Sequence, residues 1–297
     1  MNNSKFSYRG FDAVFSFIVY LLAIVLLIIF AYPLYFILIA SFSDANAVWG
    51  GHVWVIPVSP TLDGYREIIK NKDIWSGYYN SLIITALGTC INLFVTLTVA
   101  YSLSRKDFKA RGIMLVFIMF TMFFSGGMIP TYLLIRNLHM LDTVWALILP
   151  VSASVTEIII ARTFFANSIP HELQDAGFLD GCSNIRYLIK IVLPLSKPII
   201  AVLALYYGVA RWGTFFSAFI YISTRAKMPL QVILRDIVAS ANATEGMTTG
   251  DEFLRQYQLV ELMKYGTIVV ASLPALIAYP FIQKYFVKGV MIGSVKG

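Results

Sequence analysis

The chain has 297 residues, of which 58% are hydrophobic and only 13% charged. A soluble domain of this size carries about a quarter charged residues, so the composition argues against both a soluble enzyme and a disordered chain. The net charge of +7 and the pI of 9.3 do not come from a basic stripe interleaved with aromatics in one soluble domain. Nucleic acid is therefore not an expected partner, and membrane lipid is.

The apolar residues fall into six long blocks, at about 14–40, 78–103, 113–135, 144–163, 198–221 and 265–286. Each approaches or exceeds the roughly 20 residues that a membrane helix needs, and none alternates with the period of two that a β-barrel requires. The first block is too long for a signal peptide and has no small-x-small cleavage site after it. The expected fold is an all-α membrane protein with six transmembrane helices. A short lead, 1–13, precedes the membrane domain at 14–286, and a tail, 287–297, follows it.

Six spans put both termini on one side. Segments 1–13, 104–112, 164–197 and 287–297, with Arg162 and Lys284 at span edges, hold 13 Lys and Arg against five acids. Segments 41–77, 136–143 and 222–264 hold nine bases and ten acids. The positive-inside rule makes the first set cytoplasmic. Cys90 and Cys182 lie at different membrane levels, so no disulfide is expected. Two cysteines and three scattered histidines offer no metal site. His171-Glu172 begins like a zinc-protease motif, but its fifth position is Asp175.

In chain order, the external loop 41–77 carries Trp49, Trp54 and Trp75, as an interfacial belt or as a ligand platform. The turn 105–111 is strongly basic, and anchoring the topology suffices as its role. Ser125-Gly126-Gly127 before Pro130 allows a kink or a close backbone approach in the third span. The cytoplasmic segment 164–197 predicts two helices. Ser168 is the expected N-cap of the first, with Pro170 in its first turn, His171 to Leu179 as its body and Glu172 and Asp175 near its positive end. Gly181 breaks it. Ser183 caps a second helix from about Asn184 to Leu193, with Ile185, Leu188, Ile189 and Val192 as one apolar stripe. Pro194 and Pro198 end the unit. The external loop 222–264 predicts a short amphipathic helix at 228–234 and a mobile link at 239–250.

The segment Asp175-Ala176-Gly177-Phe178-Leu179-Asp180-Gly181, nine residues, then Ile191-Val192-Leu193-Pro194 resembles the EAA loop of ABC importer permeases. That pattern reads E-A-A, three residues, G, nine residues, I-x-L-P. Asp175 stands for Glu and Gly177 for Ala, so an acid is still followed by two small residues. Asp180-Gly181 is similar to the sugar-importer branch. Asn80-Ser81-Leu82 resembles the opening of the family's shared core, and residues 124–131 resemble its polysaccharide-type, LplC-like subgroup. Residues 283–289 and 293–297 resemble the tail of MalG-type subunits. The resemblance runs from about residue 11 to the end.

It implies a type I ABC importer permease with a cytoplasmic coupling helix in the bacterial cytoplasmic membrane. The chain would pair with a second, homologous permease subunit. Two ATP-binding cassette subunits would lie below and an extracellular solute-binding protein above, and an oligosaccharide would be the substrate. Glu172, Asp175, Ala176, Gly177, Asp180, Gly181, Leu193 and Pro194 would form the coupling site, and the tail would reach the ATPase dimer interface. No cofactor would be bound by this chain, because ATP and Mg belong to the ATPase partners. The sequence has no Gly-x-x-x-x-Gly-Lys-Ser/Thr phosphate loop, so no ATPase activity is expected of it, and no catalytic residue.

Glu157 and Arg211 are the two charges inside the spans, where a charge faces a cavity or a partner. At 1.5 Å per residue, Arg211 lies roughly 20 Å from the cytoplasmic edge and Glu157 roughly 10 Å, poorly matched for a direct pair. Tyr207 and Thr214 share the helical face of Arg211, and Trp212 and Phe215 flank it. Aromatic rings stack on sugars, and a guanidinium binds hydroxyls or a carboxylate bidentately. Glu157, Tyr207, Arg211, Trp212, Thr214 and Phe215 are therefore the candidate substrate path, which favours an acidic, uronate-containing oligosaccharide. The alternative is an Arg211 bonded to helix carbonyls or to the partner subunit. At the level of function, an ion-coupled secondary transporter is the runner-up. A membrane-embedded enzyme would need an acid–base or metal cluster that the sequence does not show.

Overall fold

The computed structural model of the chain describes residues 4–244, 260–278 and 280. Regular structure among them is entirely helical, and the chain divides into two compact units, 1–71 with 236–270 and 72–235 with 271–297.

The first unit begins with α1, Ser4–Ser41. Its apolar part, from Asp12, is long enough to cross a bilayer, and from Val14 to Leu34 large apolar side chains are exposed on every side. A helix apolar all round must be solvated by lipid or by other helices. Next, α2 (Ala45–Trp49) is capped by Asp44, whose carboxylate accepts from the Asn46 amide at 2.9 Å, followed by α3 (Asp63–Lys70). Ile39, Ala40, Val48 and Val53 form the local core, with Phe36 and Tyr265 packed against it. Trp49 and Trp54 are exposed.

The second unit is built on α4, Lys72–Ser104, 33 residues with no proline and with Asp73 in the first turn, where the helix dipole favours an anion. Around it the helices are broken. α5 (Arg111–Phe123) and α6 (Met128–Asn137) meet at 109°. The break carries Gly127 at φ 83°, and Pro130 falls in the first turn of α6. α7 (Trp145–Ile148) continues as a short 3-10 turn, Leu149–Val151, and is bent by 52° from α8, Val155–Ser168. Then come α9 (His171–Leu179), α10 (Asn184–Tyr187), a π-helical turn (Leu188–Val192) and α11 (Leu193–Leu195). Pro194 lacks the N–H that would bond Lys190 and crowds that carbonyl, which accounts for the widened turn just before it. At Ser196 the chain bends by 84° into α12, Lys197–Trp212, and α13 is Phe216–Tyr221. α14 (Leu230–Thr244) and α15 (Val260–Ala278) contribute residues to both units.

Among the described residues, three helices are thus long and apolar enough to span, and the bent pairs raise the number to as many as six. Several boundaries differ from the sequence expectation. The block 198–221 is two helices, parted at Gly213. Ser168 closes α8 instead of capping α9, whose N-cap is Pro170. The expected link from 239 instead continues α14 to Thr244, on from the packed Leu230, Val232 and Ile233. Residues 245–259 and the tail 287–297 lie outside the described residues.

At one end of the second unit, Asp142 holds the segment after α13. Its carboxylate accepts from the Ser223 and Thr224 amides at 3.1 and 2.9 Å, and from the Thr224 hydroxyl and the Lys227 ammonium at 2.7 Å. Asn80 donates to the carbonyls of Ala226 and Met228, and the Ser81 hydroxyl accepts from the Leu230 amide. This is the structural work of the Asn80-Ser81 pair. Lys227 first, then Thr224, holds the Asp142 carboxyl well below the usual carboxylate range. A depressed folded-state pKa gives stability that is present above the unfolded value and is lost only as pH falls through the folded one. Intrinsic-rate-corrected amide exchange at Ser223 and Thr224 should therefore stay constant from about pH 8 to about pH 5. Asp142→Asn should speed it at least tenfold or so, as loss of charged hydrogen bonds implies.

Candidate functional site

Two places in the second unit concentrate the singled-out residues. The first is the helix pair α9 and α10. α9 begins where Pro170 sets an extended backbone, with Glu172 in its first turn. It ends at Asp180, and Gly181 follows at φ 73° with no atom near the position of a Cβ. The demand for glycine there is therefore conformational, about 1–2 kcal/mol against most residues. The Ser183 hydroxyl accepts from the Arg186 amide and caps α10.

The pair has a clear inside and outside. Glu172, Asp175, Ala176, Asp180 and Gly181 are exposed, as are Leu179 and Pro194, while Leu193 is half-buried. Gly177 faces inward, where a Cβ would lie 3.3 Å from the Tyr187 ring. The expected apolar stripe is split. Val192 is buried and Leu188 half-buried, but Ile185 and Ile189 point outward. The buried anchor is Tyr187, packed with Tyr101, Phe165 and Val192. A rule based on aliphatic spacing misses it because an aromatic side chain stands outside that pattern, and the π turn shifts the register after it. Burial also raises the Tyr187 phenol above its ordinary pKa.

The second place is a cavity of about 410 Å³. Five of the six candidate path residues line it: Glu157, Tyr207, Arg211, Thr214 and Phe215. Sequence counting separated Glu157 and Arg211 in depth, whereas the structure puts both on this wall. α8 runs on to Ser168, five residues past the assumed edge, which lifts Glu157 to about 17 Å from that end. Ser154, the N-cap of α8, donates to the Glu157 carboxylate three residues on, so the acid lies at the positive end of the helix. That Ser-x-x-Glu signature was present in the sequence.

Arg211 is only 6% exposed. One terminal nitrogen donates to the Leu147 carbonyl at 3.0 Å, and the other donates to Asn92 Oδ1 at 3.0 Å and to the Val151 carbonyl. Its stem lies against Gly88, where a Cβ would come within 2.9 Å of the Arg211 Cδ. The guanidinium has no carboxylate within ion-pair distance among the described residues. Its charge is held by carbonyl and amide dipoles at the two terminal nitrogens, while the buried Nε has no hydrogen-bond partner among the described residues. The Tyr207 hydroxyl shares a hydrogen bond of 2.6 Å with Thr96. Trp212 lines a separate apolar cleft with Thr85, Cys90, Gly208 and Pro274, and its indole donates to the Ala271 carbonyl at 2.9 Å. A tryptophan next to Arg211 in sequence points 100° away on a helix, so adjacency was a poor guide to it. The cavity also takes in Tyr206, Phe216 and Ser217. Asn92, a lone amide in the most apolar stretch of α4, was the readable sign of a buried partner. No group of three metal-ligating side chains occurs among the described residues.

No protein-family model matches the chain. It is 41% identical over 265 residues to protein LplC of Bacillus subtilis, covering 89% of each chain. It is 38% identical over 290 residues to the polygalacturonan/rhamnogalacturonan transport system permease protein YtcP of the same organism, covering 96% of this chain and 99% of that one. The probable ABC transporter permease protein YurM of B. subtilis is 31% identical and matches 98% of this chain and 90% of its own length. Among solved structures, one chain of a bacterial ABC transporter involved in the import of the acidic polysaccharide alginate superposes with a TM-score of 0.83. It is 29% identical, over 93% of this chain and 97% of that one. With these relatives matched over nearly their whole length, and with the helix pair and cavity in place, the chain belongs to the sugar-uptake permeases of ABC transporters.

Proposed function

We propose that this chain is one of two permease subunits of an ATP-driven importer of oligosaccharides, acidic ones included, in the bacterial cytoplasmic membrane. A homologous second permease completes the pathway, an extracellular solute-binding protein delivers the sugar, and two ATP-binding cassette subunits hold ATP and Mg. In this reading there are six spans with both termini cytoplasmic. The segment 164–197 docks on the ATPase through Glu172, Asp175, Ala176, Asp180 and Gly181. Gly177 and Leu193 shape the pair from within, and the exposed Pro194 ends it.

One observation carries the proposal. A single compact unit holds both an outward-facing, acid-bearing helix pair and a polar, aromatic-lined cavity. The cavity has the volume of a small-ligand site, with Tyr206, Phe215 and Phe216 as apolar faces and Ser154, Thr214 and Ser217 as hydroxyls. Relatives named for polygalacturonan/rhamnogalacturonan and alginate transport support an acidic substrate. So does Arg211, though not as a bidentate clamp. Both terminal nitrogens are taken and Nε is buried, so it acts as a fixed positive charge behind the wall, with Glu157 lining the same cavity.

ATP-driven uptake is tested in proteoliposomes holding the permease pair, the ATPase and the binding protein. Uptake of an oligogalacturonide should require ATP and no ion gradient; uptake driven by an ion gradient without ATP would make the chain a secondary carrier. Arg211→Gln should abolish acidic uptake and also lower the unfolding temperature, because buried carbonyls left unpaired cost roughly 1–3 kcal/mol each. Arg211→Lys should keep part of the uptake. Full acidic uptake by the Gln variant would remove the charge from the account. At the turn, Gly181→Val should lose binding-protein-stimulated hydrolysis, while Gly181→Asn, which tolerates positive φ, should retain most of it. Equal stimulation in both variants would contradict a coupling role for the turn.

A further inference from the structure

Arg105 stands one residue past the end of α4, in a turn whose basic residues need do no more than anchor the topology. Yet it is 8% exposed. Its guanidinium donates to the Tyr101 hydroxyl at 2.8 Å, to Asn184 Oδ1 at 2.7 Å and, through Nε, to Asp107 at 2.8 Å. Its Cζ lies over two rings, 5.0 Å from the Phe178 centroid and 5.7 Å from that of Tyr101. Phe178 belongs to α9 and Asn184 opens α10. One side chain at the end of α4 therefore grips both halves of the helix pair.

We propose that Arg105 is a positioning residue for energy coupling, a clasp that binds the helix pair to α4 so that the two move together. This rests on the reading of 164–197 as the segment that docks on the ATPase. An anchor for topology needs charge near the membrane surface and no particular partner. Here four donor directions of the planar fork are matched by separate acceptors, an arrangement that an ammonium could not reproduce. Asp107 is the largest influence in keeping Arg105 charged, and Arg105 in turn keeps the Asp107 carboxyl below its ordinary range. Each partner thus favours the charged form of the other. A second link runs beside it: Tyr187 packs against Tyr101 and Phe178, and Gly177 lets the ring approach α9.

What α4 does with the movement follows from its length. Asn92 lies 13 residues before Arg105, about 20 Å along an unbroken helix. It is there that α4 meets Arg211 and, through its own amide, the Val151 carbonyl. A displacement gripped at Arg105 thus arrives at the cavity wall without crossing a helix break. By contrast, the direct covalent route through α12 must pass the 84° bend at Ser196.

The test uses the whole transporter in proteoliposomes and reads sugar moved per ATP hydrolysed, with complex assembly checked by gel filtration. Arg105→Gln should lower that ratio about tenfold, the scale of one charged hydrogen bond, with Arg105→Lys between it and wild type. Asn184→Ala and Phe178→Leu change exposed or half-exposed side chains and leave the charge paired with Asp107. Each should lower the ratio several-fold while hydrolysis continues. If Arg105→Gln does not assemble, these two variants decide. A wild-type ratio in both would overturn the clasp alone. A wild-type transporter without ATP-coupled uptake would overturn the transporter reading, and the clasp with it.

Discussion

A guanidinium buried in an apolar interior is costly unless acceptors meet its N–H groups. Arg211 meets this demand at its two terminal nitrogens, with the carbonyls of Leu147 and Val151 and the amide oxygen of Asn92. Those three acceptors come from two separate elements. The bond set therefore fixes α12 against α4 and against the bent segment at 145–151, and the cavity is the space left beside that junction. Take away the guanidinium and the carbonyl ends of the 145–151 segment lose their donor. Put a side chain at Gly88 and the arginine stem loses its bed.

Continuity and breakage divide the work in the second unit. α4 is unbroken because nothing in its 33 residues interrupts a helix. Its neighbours are broken at Gly127, at Ser152–Ser154, at Ser196 and at Gly213, each time beside proline, glycine or a capping serine. The breaks release backbone groups that the polar side chains then use, as with the 147 and 151 carbonyls. α4 is thus a continuous member held at one end against the helix pair and joined at mid-length to the cavity wall. An element with two arrangements, biased from both ends, is what gives coupling a physical content.

Much of this was legible in the amino acids. The helix pair at 171–179 and from 184 followed from Pro170, Gly181 and Ser183, whose effects are local. The cavity wall was readable in outline, because a charge inside an apolar block has few permissible surroundings. What escaped had non-local causes. Glu157 was placed too shallow because the end of α8 is decided by packing and not by composition. Tyr187 and Arg105 were passed over because an aromatic with a hydroxyl and a base in a basic turn both have bland roles from sequence alone. Only the fold brings Arg105, Asp107, Phe178 and Asn184 together. Trp212 went the other way: its neighbour on the chain is not its neighbour across the helix.

The central claim is that the helix pair and the cavity move as one through α4. Thiol labelling tests it most directly, with Thr214→Cys as the reporter in a Cys90→Ser, Cys182→Ser background of the assembled transporter. Labelling rates would be compared with and without ATP trapped by vanadate. The account predicts a several-fold change on trapping in the otherwise native chain and little or none when Asn184→Ala is added, although ATP is still hydrolysed. The same trapping-dependent change in both would contradict it.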